Sequence, residues 1–167
     1  MGRWRPPPPK SSPYITPEGF EVLEREQKDL WLRRRDVVKA LSAAAAEGDR
    51  SENAEYIYRK KELGGIDRRI RYLQKRTPNL KVVRASPSPD KVFFGAWVTL
   101  LRDDDETMTY RIVGPDETDA TRGFISVDSP MARVLLGKPL DDEIKLDLDG
   151  VTRTFEITDI CYERSAT

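Results

Sequence analysis

Two amphipathic stripes separated by a short polar bend constrain this chain more than any other feature. Thr16-Pro17 opens the first stripe, with a hydroxyl placed to cap free amides and a proline at the first helical position, where its missing N–H does no harm. From there Phe20, Leu23, Gln27, Leu30, Arg34, Val37, Leu41 and Ala44 recur in alternating steps of three and four. That spacing keeps one seam of a helix turned toward a partner. No strong breaker precedes Gly48, so the pattern predicts a helix of about 30 residues, or roughly 45 Å. After the bend, Tyr56, Arg59, Leu63, Ile66, Ile70 and Leu73 repeat the spacing until Pro78. Two long stripes joined by a short connection predict an antiparallel coiled-coil hairpin over residues 14–78, with Gln27, Arg34 and Arg59 on the seam setting register at some cost in stability. Gly64-Gly65 interrupts the second stripe. Each glycine costs about 1 kcal/mol relative to alanine inside a helix, so the pair marks either a weak point or a close helix contact.

Beyond Pro89 the period shortens. Lys91 to Leu101, Thr107 to Val113, Gly123 to Asp128, Glu143 to Leu148 and Thr152 to Ile160 alternate as strands do, Asp149-Gly150 reads as a tight hairpin turn, and Ser129-Pro130 to Gly137 reads as one short capped helix. Residues 91–167 are therefore a small β-rich domain, and the fold class is α+β. Phe93, Phe94, Trp97, Tyr110, Phe124 and Phe155 supply much of its core, with a groove among them as the alternative. Residues 79–90, proline-rich at their end, form the joint. Residues 1–13 read as an extended tail, because proline lacks the amide donor that regular structure needs.

Composition narrows the chemistry. With no apolar run of about 18 residues and no secretory signal, the chain is expected to be soluble, cytoplasmic and independent of membranes. Cys161 is the single cysteine and there is no histidine, so the common ligands for zinc, copper and haem are missing and any metal should be a hard, oxygen-bound ion such as Mg²⁺. Net charge is zero, yet residues 1–83 carry 19 basic and 12 acidic side chains while residues 84–167 carry 10 and 17. Such a division suits a first module drawn to an anionic partner and a second that is not.

The bend itself, Gly48-Asp49-Arg50-Ser51-Glu52-Asn53-Ala54-Glu55-Tyr56, exposes two carboxylates, Asp49 and Glu52. Their spacing is that of a helix capping box with aspartate in place of serine, which on spacing alone is the commoner role, with two oxygen donors for a metal ion as the alternative. The two roles compete, because a carboxylate bound to backbone amides points away from an incoming ion. Glu47 and Glu55 add charge nearby, and Ser51 and Asn53 are turn formers. Residues 59–76 hold eight basic side chains against Glu62 and Asp67. Arg59, Lys60, Lys61, Arg68 and Arg69 among them either form a solvated face or follow a nucleic-acid backbone. Tyr56, Tyr58 and Tyr72 either pack or stack on bases.

Five segments in order resemble the Gre family of bacterial transcript cleavage factors, of the GreB type: Tyr14-Ile15-Thr16-Pro17-Glu18-Gly19-Phe20, the Gly48 to Tyr56 bend, Ile66-Asp67-Arg68-Arg69-Ile70-Arg71-Tyr72-Leu73, Lys91-Val92-Phe93-Phe94-Gly95-Ala96-Trp97-Val98, and Ser129-Pro130-Met131-Ala132. The resemblance spans about residues 14–163. It implies a coiled-coil hairpin with an acidic tip, followed by an FKBP-like domain that docks on bacterial RNA polymerase at its secondary channel. The tip carboxylates, on Asp49 and Glu52 here, would share an Mg²⁺ ion with the polymerase, which itself hydrolyses backtracked nascent RNA. Arg59, Lys60, Lys61, Arg68 and Arg69 match the family's basic RNA-contacting surface. The factor is then not an enzyme, and it is expected to be a monomer. Gly64-Gly65 and the proline-rich leader depart from the family pattern. Two other readings stay open: a homologue that only blocks the channel, and an autonomous prolyl isomerase or metal nuclease that needs no polymerase.

Overall fold

The computed structural model describes residues 9–84 and 90–163. Residues 1–8 of the expected tail and 85–89 of the expected joint lie outside the described residues. The chain divides into two compact units: Glu18–Leu80 forms one, and the described residues on either side of it form the other. No helix among the described residues is long and apolar enough to cross a membrane.

The first unit is built on α1 (Pro17–Ala45) and α2 (Ala54–Arg76), the two expected helices. Val37, Ile66 and Ile70 form its buried cluster, with Leu30 and Leu63 packed against it. All five are on the two stripes. Full burial of each such side chain favours the folded hairpin by about 1.5–3 kcal/mol. Ion pairs flank this seam and fix its register: Arg69 reaches Glu26 through two bonds of 2.6 and 3.0 Å, Arg34 reaches Asp67 at 2.7 Å, and Arg33 reaches Glu62 at 2.9 and 2.5 Å. Glu26 facing Arg69 and Arg33 facing Glu62 make the helices antiparallel. Exposed pairs contribute about 0–1 kcal/mol each, so their weight lies in selecting one alignment. Arg34 serves as the seam reading expects. Arg59 bonds along its own helix to Glu55 and Glu62, at 2.8 and 3.1 Å, and Glu62 in turn is bound by Arg33 of α1.

Gly64 and Gly65 do not interrupt α2. A Cβ at either position would meet only the Arg68 guanidinium, at 3.6 and 3.8 Å. The close helix contact considered from the sequence is therefore absent, and the glycines are an unneeded entropic cost.

The second unit holds a five-stranded sheet in the order β5-β4-β3-β7-β6, made of β3 (Trp97–Arg102), β4 (Thr107–Val113), β5 (Phe124–Ser126), β6 (Glu143–Leu148) and β7 (Val151–Cys161). All neighbours are antiparallel except β4 and β5. One face carries the core, in which Val98, Leu100, Ile112, Ile144, Phe155 and Ile157 meet Ala132 and Leu135 of α3 (Pro130–Leu135). The Ser129 hydroxyl accepts from the Ala132 amide at 3.1 Å and starts that helix. Asp149 and Gly150 turn β6 into β7 with φ of 50° and 83°, as a tight hairpin requires. The α+β class, with a helical hairpin followed by a β-rich domain, is borne out. The aromatic side chains do not converge on a groove: Phe155 is in the core, Phe93 is exposed, and Trp97 meets Phe124 edge to face at 5.5 Å on the opposite side of the sheet.

Three boundaries differ from those the pattern predicts. Tyr14–Ile15, assigned to the hairpin, forms β1 and pairs in parallel with β2 (Lys81–Val82), which was assigned to the joint. Thr16, buried beside them, donates its hydroxyl and its amide (2.9 Å) to the Glu117 carboxylate, which also accepts from the Gly114 amide at 2.8 Å. Gly114 allows the approach: a Cβ there would lie 1.9 Å from the Tyr14 carbonyl oxygen. Ser12, at the end of the expected tail, donates its amide to Asp128 at 2.8 Å. Lys91 to Ala96 is not strand, because Gly95 turns with φ of 86° and β3 starts only at Trp97. A pairing between two-residue strands more than 60 residues apart leaves no local period to read.

Replacing Gly64 or Gly65 by alanine is expected to stabilise the chain by about 0.5–1 kcal/mol each, read as a higher urea midpoint with unchanged slope. A lower midpoint would mean that the added methyl groups meet a packed surface after all.

Candidate functional site

The connection between α1 and α2 begins where the last turn of α1 tightens, with Ala46 and Glu47 donating to the carbonyls of Ala43 and Ala44 at 3.2 Å. Gly48 follows with φ of 138°, a value that side-chain-bearing residues rarely adopt, and the chain reverses. Asn53 closes the bend at its far side. Its Oδ1 accepts from the Tyr56 amide at 3.1 Å, capping α2, while its Nδ2 donates to the Ala44 carbonyl at 2.8 Å, on the last turn of α1. One side chain thus satisfies a free amide of one helix and a carbonyl near the end of the other.

This settles the competition between capping and exposure at Asp49 and Glu52. The cap of α2 is Asn53, a residue expected from the sequence to shape the turn or orient water. Asp49 accepts from the Ser51 amide at 2.9 Å and from the Ser51 hydroxyl at 2.8 Å, both through Oδ1. Oδ2 takes part in neither bond. The Ser51 amide, and then its hydroxyl, hold the Asp49 carboxyl below the ordinary aspartate range, so it stays ionised at any physiological pH. Glu52 is exposed in the same bend, as are Glu47 and Arg50.

Both carboxylates offer hard oxygen donors, the type that magnesium prefers, but two side chains fall well short of six ligands. Among the described residues no group of three potential metal-binding side chains occurs. The donor set fits a magnesium ion in kind and not in number, as part of a site that other oxygen ligands must complete.

The candidate basic residues are less uniform than their sequence suggests. Arg59 is bound by Glu55 and Glu62, Glu55 through its i,i+4 position. Arg33, then burial against it and then Arg59, shape the Glu62 carboxyl, whose net shift is downward. Arg69 is held by Glu26 and lies 5.3 Å from the Tyr72 ring centroid. Lys60, Lys61 and Arg68 are exposed. Lys60 and Lys61 line an open groove with Arg50, Ser51, Tyr56 and Ile57, next to the acidic bend. Arg68 lies about 12 Å farther along α2.

An exposed acidic turn on a helical hairpin, carried by the same chain as a five-stranded α+β unit, is the arrangement that the resemblance to transcript cleavage factors implies. Residues 13–82 match the N-terminal domain of transcription elongation factors, and residues 86–162 match the C-terminal domain of the GreA/GreB transcription elongation factors. The chain is 58% identical over 165 residues to transcription elongation factor GreB of Xanthomonas axonopodis pv. citri, across 97% of this chain and 98% of that protein. It is 52% identical to GreB of Pseudomonas aeruginosa across 97% and 98%. A solved structure of the transcription factor Gfh1 aligns with 88% of this chain and 96% of its own at 25% identity, with a TM-score of 0.43. The chain belongs to the GreA/GreB family of transcription elongation factors.

Two measurements check the bend. Asn53→Ala should cost about 1 kcal/mol and speed amide exchange in the first turn of α2, with exchange in the sheet unchanged. Ser51→Ala removes one of the two bonds to Oδ1, so the Asp49 titration followed by carboxyl NMR should move upward, but only part of the way, because the amide bond remains. An unmoved titration would show that the Ser51 hydroxyl does not hold Asp49.

Proposed function

We propose that this chain acts on bacterial RNA polymerase: its hairpin carries Asp49 and Glu52 through the secondary channel and stimulates the polymerase to hydrolyse backtracked nascent RNA, restarting arrested complexes. The observation that carries this reading is the division of Asp49, an ionised, exposed carboxylate with Oδ1 tied to Ser51 and Oδ2 outside both of those bonds. A side chain locked at one oxygen presents the other with little rotamer entropy left to lose. Glu52 adds a second anionic group in the same turn. The Asn53 clamp ties that turn to both helices, so it can be presented as a unit.

Magnesium, bound jointly by these carboxylates and by oxygen ligands of the polymerase, would supply Lewis acidity for phosphodiester hydrolysis. The chain's own part is to add negative charge where a weakly held cation needs it and to leave the RNA and the polymerase to provide the remaining oxygens. On this reading the catalyst is the polymerase, and the factor is not an enzyme by itself. Lys60, Lys61 and Arg68 attract the phosphates of the extruded RNA without regard to sequence, while the ion pairs of Arg59 and Arg69 give those two residues a larger part in holding the hairpin. The FKBP-like unit holds the factor on the polymerase, and the factor acts as a cytoplasmic monomer.

The test is RNA cleavage in a stalled, backtracked polymerase complex with Mg²⁺ present. The unaltered chain should shorten the RNA, while Asp49→Asn and Glu52→Gln should each lower the cleavage rate by about 100-fold with binding to polymerase retained. RNA synthesis slowed without shortening of the transcript would instead identify a channel-blocking protein. Cleavage of free RNA without polymerase would identify an autonomous nuclease.

A further inference from the structure

The groove beside the acidic turn is lined from two parts of the chain: Arg50 and Ser51 in the bend, and Tyr56, Ile57, Lys60 and Lys61 in the first two turns of α2. Arg50 stands in sequence between Asp49 and Glu52, yet its guanidinium is turned to the Tyr56 ring, with Cζ 5.7 Å from the ring centroid. A cation beside two carboxylates would ordinarily be drawn to them. The aromatic face offers a competing hold, and it leaves the carboxylates unneutralised by their nearest cation.

A guanidinium packed on a ring still presents its N–H donors at its edge. That edge is a planar fork, and the ligand it matches best is a phosphate or carboxylate oxygen pair. Two lysines in the same groove favour an anion with charge spread along its length, and exposed Ile57 and the Tyr56 ring add apolar surface between those cations. A strand that alternates phosphates with flat bases has this chemistry, whereas a lone small anion has no use for the apolar part.

We propose that Arg50, held on Tyr56, is a positioning residue that grips one phosphate of the RNA strand and sets the neighbouring phosphodiester against Asp49 and Glu52. This inference rests on the transcript-cleavage reading above. Lys60 and Lys61 are flexible point charges that raise the local concentration of RNA, while Arg50 fixes its alignment. The residues therefore differ in what they change: the lysines act on occupancy, and Arg50 acts on the rate once the strand is bound.

The experiment measures the maximal cleavage rate at saturating factor and the factor concentration giving half that rate, in the same backtracked polymerase complex, for the unaltered chain, Arg50→Ala, Arg50→Lys and Tyr56→Leu. Arg50→Ala should lower the maximal rate on the order of tenfold, the effect of losing one charge-assisted contact, and leave the half-saturating concentration within about twofold. Arg50→Lys, which keeps the charge and loses the planar fork, and Tyr56→Leu, which keeps the charge and loses its platform, should fall between. Amide exchange in the first turn of α2 should be unchanged in Arg50→Ala, which a general collapse of the bend would not allow. If the unaltered chain cleaves and Arg50→Ala matches its maximal rate, or loses activity only through a higher half-saturating concentration or with faster amide exchange in that first turn, the inference fails while the broader function stands. If the unaltered chain itself leaves the RNA intact, the transcript-cleavage reading fails first.

Discussion

The buried stripe of Val37, Ile66 and Ile70 is the contact on which the hairpin depends. Two paired helices share a single narrow seam, and a slip of one turn would bring other members of the two stripes face to face. Apolar packing alone tolerates such slips poorly but does not forbid them, since Leu30 and Leu63 offer alternative knobs. The pairs Glu26 with Arg69, Arg33 with Glu62 and Arg34 with Asp67 remove that freedom, because charges meet their opposites in only one alignment. Register then sets which residues fall in the bend, and with that the position of every group at the tip.

Asn53 extends the same logic to the end of the hairpin. A bend that left its free amides and carbonyls to water would fray, and two exposed carboxylates in a fraying loop would sample many directions. By spanning from Ala44 to Tyr56, Asn53 makes the bend part of both helices. It also takes over the capping work for which Asp49 and Glu52 had the right spacing. Neither carboxylate is then needed to cap α2, and Asp49 is bound by Ser51 through a single oxygen. Stability and exposure, which compete when one residue must do both, are divided here between neighbours.

The long elements were legible in the sequence because their signals are local. Stripe spacing gave α1 and α2 nearly to the residue, alternation gave β4 and β6, and Asp149-Gly150 announced its turn through the positive φ that such residues accept. The acidic bend was legible for a similar reason, since a glycine and several polar residues between two apolar stripes have nowhere to go but the surface. What stayed hidden involved partners distant along the chain. Tyr14–Ile15 is too short to carry an alternation of its own, and its pairing with Lys81–Val82 depends on where the intervening chain returns. The carboxylate partner of Arg69, Glu26 on the other helix, was equally out of reach, because a run of basic residues reads the same whether its members face solvent or glutamates.

The sequence by itself determined the two long helices and strands β4 and β6, and that two oxygen-donor side chains stand together at an exposed reversal in a chain without histidine. Backbone propensity and the period of apolar residues act over a few neighbours, so one dimension suffices to read them. Tertiary structure alone decided which oxygen of Asp49 binds Ser51, which residue caps α2, and that Arg50 rests on Tyr56 instead of on the adjacent carboxylates. Those outcomes are contests between near-equal hydrogen bonds and ring contacts, each about 1 kcal/mol. Only the closed bend, with both helix ends in place, sets the distances at which one partner wins.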